Sequence, residues 1–199
     1  MLHLQRAVVL ATRADLGPAE QAFEAARRLA PDQPGAYAGL AMIWMQTGQT
    51  DKAIDVLRHQ ALRVSGDHVI PYMFAVALMR SGLDPAGPEA SEAVDALMAS
   101  LRARPDFAPS HSELGRIFLK RDNLDGAIRE LETAIAFDPE STAAIYNLAQ
   151  AYRKKGDRTR AGELLSRLSA MNAQERDDSS GELKRAVIRI VRDGSSPKP

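Results

Sequence analysis

The 199-residue chain contains no cysteine, which excludes a disulfide, a zinc–thiolate site and a cysteine nucleophile and leaves the redox compartment open. Aromatic residues are scarce, with one Trp, four Tyr and five Phe, so any core is filled mainly by aliphatic side chains and methionine. Neither sign of charge is in excess: 26 Lys and Arg stand against 26 Asp and Glu, a balance that argues against a general nucleic-acid binder. No apolar run approaches the roughly 18 residues of a membrane span, and Met1 to Arg13 lacks the charged front and cleavage site of a signal peptide. The cytoplasm is therefore the expected compartment. Histidines are few, and no two of His3, His59, His68 and His111 have the i, i+4 spacing that sets two metal ligands on one helical face. The glycines lie singly rather than in a phosphate-cradling loop, and the carboxylates fall on expected outer faces. The expectation is no metal, no cofactor and no catalytic set.

What the chain does contain is a period. His111, Leu114, Gly115 and Phe118 are followed by Ala127, Leu131 and Ala134 and then by Pro139, the large-small-large spacing of two helices whose backbones come close at Gly115 and Ala127. The same small position recurs as Ala19, Ala53, Ala93, Ala127 and Ala161, at intervals of 34, 40, 34 and 34 residues. The long interval is one period plus six residues, and the extra length falls around Ser81 to Pro88, which holds two glycines and two prolines. Either a binding loop or a tolerated insertion at a helix junction fits it. A composition of 45% hydrophobic and 26% charged residues suits a packed helical chain. The charge balance conceals an asymmetry: residues 1–141 hold 14 basic against 19 acidic residues, whereas residues 142–199 hold 12 against 7.

This pattern resembles the tetratricopeptide repeat, whose period is 34 residues. The resemblance implies an all-α fold, a right-handed superhelical solenoid of antiparallel helix pairs, with repeats at about 1–33, 34–67, 68–107, 108–141 and 142–175. His3 and Arg6 stand where the family prefers a bulky aromatic and a leucine, and the first helix, roughly Leu2 to Thr12, is apolar nearly all round. A helix of that kind needs covering, by this chain or by an earlier repeat. Trp44 reads as a core plug at an inner large position. Residues 176–193 read as a linker and a basic amphipathic helix carrying Leu183, Val187 and Ile190, expected to cap the last repeat, with 194–199 a disordered tail.

By resemblance, the first helices of successive repeats line a concave groove that holds a partner. The lining positions are Ala38, Met42 and Met45, then Tyr72, Val76 and Met79 with Arg80 beside them. Next come Ser112, Arg116 and Leu119 with Lys120, and finally Tyr146, Gln150 and Arg153 with Lys154. The first half is apolar and methionine-rich, suited to an amphipathic helix; the second combines tyrosine with cations, suited to an acidic segment. The family's clamp for chaperone carboxyl tails places lysine and asparagine where this chain has Ala38, Met42, Tyr72 and Val76, which argues against such tails as ligands. The leading expectation is a noncatalytic scaffold or adaptor for a protein or peptide. Two alternatives stand beside it: a regulatory or substrate-docking region of a larger enzyme, such as a glycosyltransferase or hydroxylase, and self-association through the first helix.

Overall fold

Helices begin where a proline or a short polar side chain precedes an apolar stripe. In the computed structural model, which describes residues 2–61, 63, 66–82 and 84–175, Pro34 and Pro88 open helices at positions where an amide would have no partner. Asn123, Ser141 and Asp157 cap others by accepting from the amides of Gly126, Ala144 and Arg160 at 3.1, 3.4 and 3.0 Å. The described residues form ten helices and no strand. They fall into two compact units. The first holds α1 (Leu2–Thr12), α2 (Leu16–Leu29), α3 (Pro34–Gln46), α4 (Thr50–Ala61) and α5 (Val69–Arg80). In the second are α6 (Pro88–Ala103), α7 (Ala108–Lys120), α8 (Leu124–Phe137), α9 (Thr142–Lys155) and α10 (Arg158–Glu175). The expected linker, capping helix and tail at 176–199 lie outside the described residues.

Consecutive helices pack side by side within each unit, and alternate helices also touch: α1 with α3, α3 with α5, and α7 with α9. That second set of contacts makes tandem hairpins into a layered stack. Small residues set the spacing. Ala7, Ala41, Ala75, Gly115 and Ala149 are all buried, as are Ala19, Ala53, Ala93, Ala127 and Ala161. A Cβ on Gly115 would run into the Leu131 side chain, whose Cδ2 it would meet at 2.8 Å. Gly39 plays the same part against the ring of Phe23. Into the remaining space go Leu40, Leu57, Leu97, Leu114 and Leu131, each with at most 1% of its surface exposed. In the first repeat His3 and Arg6 stay exposed, and Leu4, Ala7 and Ala11 form the inner face instead.

The segment that follows each of α1, α3, α5, α7 and α9 carries one residue in the left-handed region. These are Ala14, Gly48, Gly82, Asp122 and Gly156, with φ of 62, 78, 83, 59 and 91°. They recur at intervals of 34, 34, 40 and 34 residues, and the small positions Ala19 to Ala161 at 34, 40, 34 and 34; the two long intervals overlap only between Gly82 and Ala93, where the six extra residues enter. The inserted segment is tied down: Asp84 Oδ1 accepts from the Ala86 amide at 3.0 Å, and Arg121 Nε donates to the Pro85 carbonyl at 2.7 Å.

Left-handed backbone costs a residue with a Cβ about 1 kcal/mol or more, and a Cβ added at Gly48 meets nothing within 4 Å. Gly48→Ala is therefore expected to lower the unfolding free energy by about 1 kcal/mol, purely through conformation. Gly17→Ala, also in open space but helical, should leave it unchanged or raise it by about 0.5 kcal/mol; urea melts followed by circular dichroism compare the two. Leu131→Asp places a carboxylate at a fully buried position and should cost at least about 3 kcal/mol. A fully helical, monomeric Leu131→Asp protein would overturn the assigned register.

Candidate partner-binding faces

The face expected in the first unit is built by α3 and α5. Ala38, Met45 and Met79 are buried and form its floor. Met42, Tyr72 and Val76 are half-buried, and Arg80 is exposed at the end of α5. Because Gly39 has no side chain, the Phe23 ring lies against the α3 backbone, leaving a small apolar crevice bordered by Ala11, Leu16, Phe23, Gly39 and Met42. Its volume is about 10 Å³, room for one water-sized sphere. Met42 forms one of its walls, and an unbranched thioether moves easily among rotamers.

In the second unit the corresponding residues come from α7 and α9. Ser112 is buried and Leu119 half-buried, while Lys120, Tyr146 and Arg153 are exposed, Tyr146 to 49%. The four cations differ sharply in what they meet. Arg116 is held by its own helix, donating from Nε and Nη2 to Glu113 Oε2 at 2.8 and 2.5 Å. Lys154 donates to Asp122 Oδ1 at 2.9 Å, and the neighbouring Lys155 to Asp125 Oδ1 at 2.6 Å, which holds the Asp125 carboxyl below its ordinary range. Lys120 and Arg153 have no ion partner among the described residues. Gln150, half-buried between them in sequence, adds an amide. The pairing of Arg116 with Glu113 follows from i, i+3 spacing on a helix; the pairing of Lys154 with Asp122, 32 residues apart, has no local signal.

Two buried aromatic residues are held in a common way. Trp44, 1% exposed, donates from Nε1 to Glu20 Oε1 at 2.7 Å, and Lys52 Nζ sits 4.2 Å from the indole centroid. Tyr152 donates to Glu132 Oε1 at 2.6 Å and accepts from Arg160 at 3.1 Å, with that guanidinium 5.2 Å from the ring. Lys52 and Arg160 directly precede Ala53 and Ala161, the same place in their repeats. Burial, with the Glu132 carboxylate beside it, pushes the Tyr152 hydroxyl above its ordinary pKa. Trp44 is thus spent on the core and offers no ring to a ligand. Among the described residues no group of three His, Asp or Glu side chains could hold a metal ion, and no helix is long and apolar enough to cross a membrane.

One tetratricopeptide repeat model matches residues 12–69 and 118–179, and a second matches 89–141. The chain belongs to the tetratricopeptide repeat family. Its fold is the family's, an all-α array of antiparallel helix pairs, as the sequence pattern implied. Among solved tetratricopeptide repeat structures, a thermophilic protein of Thermus thermophilus is 18% identical, with 96% of this chain and 97% of that one covered at a TM-score of 0.73. MamA of Desulfovibrio magneticus is 16% identical over 88% of this chain and 96% of its own, at 0.67. YrrB, described as having an unusual peptide-binding site, is 18% identical over 94% and 90%, at 0.61. Identities this low establish a common fold and no more. No curated protein sequence matches the chain.

Removing the indole's acceptor isolates the Trp44 arrangement. Glu20→Ala is expected to cost about 1–3 kcal/mol by leaving a buried N–H unpaired, and Glu20→Gln, which keeps an acceptor oxygen, to cost less than half as much. Trp44 is the sole tryptophan, so its fluorescence during urea unfolding measures both variants in the first unit.

Proposed function

We propose that this protein is a noncatalytic scaffold that holds a partner protein through the faces of its repeat hairpins. The observation that carries the proposal lies on α7 and α9, where Lys120 and Arg153 are exposed with no ion partner among the described residues and Tyr146, seven residues before Arg153 on α9, is exposed as well. Exposed cations are ordinary on a protein surface; an aromatic ring nearly half exposed on the same helix is less so. Such a face favours an acidic segment carrying an apolar or aromatic residue, with charge steering the approach and the ring supplying contact area. On the α3 and α5 face, Met42 and Val76 suit the apolar side of an amphipathic helix. The family's repeats act as protein-interaction scaffolds, and the peptide-binding site described for YrrB supports reading these faces in the same terms.

Arg116 is already neutralised by Glu113, so a charge reversal there would disturb α7 itself. The informative variant is Lys120→Glu with Arg153→Glu, both at exposed positions. Against a panel of fluorescently labelled amphipathic peptides with acidic segments, the wild type is expected to bind with an affinity that falls as salt rises. The double variant should bind at least about tenfold more weakly while retaining its circular dichroism spectrum and melting point. Equal binding of acidic peptides by both proteins would exclude this face as the site.

A further inference from the structure

His111 opens α7, and its ring faces two acceptors at once. Nδ1 lies 2.7 Å from Glu130 Oε2 on α8, and Nε2 lies 3.0 Å from the Pro105 carbonyl in the turn between α6 and α7. Neither a carboxylate nor a peptide carbonyl has a proton to give. A neutral imidazole carries one N–H, so it satisfies one of these contacts and sets a lone pair against a lone pair at the other. Only the doubly protonated ring satisfies both. The side chain is 14% exposed, and the Phe137 ring of α8 lies 5.9 Å away, centroid to centroid, so the ring is held mainly by protein, with the Pro105 contact on its solvent side.

We propose that His111 is a proton-operated latch of the second unit: protonated, it fastens the α6–α7 turn and α8 to the start of α7, and deprotonated, it releases one of them. The other charged groups around it are occupied. Arg104 and Asp106 of the same turn pair with each other at 3.2 Å, Glu113 of α7 pairs with Arg116, and Glu130 is the charge that acts on the ring. The hydrogen bond to Glu130 comes first among the causes that raise the His111 pKa above its ordinary value, and burial opposes it. For a group whose folded pKa is raised, the stabilisation is complete below the unfolded value of about 6.5 and is lost as pH rises through the folded value. The latch therefore opens as pH rises through a midpoint above about 6.5, opposite to a histidine that is buried neutral.

The test uses the full chain. Ring-proton NMR of His111 should give a titration midpoint above about 6.5, and Glu130→Gln, which keeps the ring and removes the charge, should bring that midpoint down. In parallel, the urea midpoint of the wild type should fall between pH 6 and the alkaline side of the His111 titration by more than that of His111→Gln, which carries no titrating ring. A wild-type midpoint at or below about 6.5, a midpoint unmoved by Glu130→Gln, or an equal fall in His111→Gln would each overturn the latch.

Discussion

The close approach of helix backbones within a hairpin is the constraint on which the other features rest. Where α7 meets α8, Gly115 leaves a space that Leu131 fills completely, and a single added carbon would enter the leucine side chain. Helices held that near must present a small residue on one partner and a branched or aromatic one on the other, at fixed places along both. Gly39 of α3 meets the Phe23 ring of α2 in the same way, and the position of Gly115 is taken in other repeats by the buried Ala7, Ala41, Ala75 and Ala149. Among the buried rings, which also include Phe23, Tyr37, Phe74 and Phe107, Trp44 and Tyr152 each direct a polar atom to a carboxylate on the preceding helix and are roofed by a cation.

This close packing also explains where polar groups are tolerated inside. Ser100 is fully buried at the place occupied by Ala26 and Ala134 in other hairpins, and Ser110 donates to its hydroxyl at 2.8 Å. A serine is scarcely larger than alanine, so the space admits it, and the pairing removes the cost of an unmet hydroxyl. His111 is the larger exception: it stands where other hairpins carry Tyr37 or Ile145, and its bulk is accepted because both ring nitrogens find partners and its face meets Phe137.

Fold and function were legible to different depths for a physical reason. The helix pairs follow from a strict repeat of small and large apolar residues, a signal present in the order of residues, and the buried state of Leu114, Ala127, Leu131 and Ala134 agrees with it. The state of the face residues depends on what each side chain meets across helices. Sequence placed Arg116, Lys120, Arg153 and Lys154 in one basic group, but in the structure Glu113 and Asp122 take up two of the four. Likewise Met45, Met79 and Ser112 occupy positions read as lining yet are almost wholly covered. Glu20, 24 residues before Trp44, and Glu130, 19 residues after His111, become partners only once the hairpins are stacked.

The turn at Gly82 has consequences for how such a chain changes length. Six residues were accommodated there because the left-handed residue ends one helix before the next begins, so the added segment lies between stripes and rotates neither. A single residue added inside α7 would instead turn everything beyond it by about 100° around the helix axis, carrying Phe118 away from its neighbours and bringing a charged side chain inward. Lengthening is thus easiest by whole periods or at turns between helices, such as those with a left-handed residue. The equivalent turn at Gly48, open on all sides to an added Cβ, is a natural point at which to splice a foreign segment into the molecule.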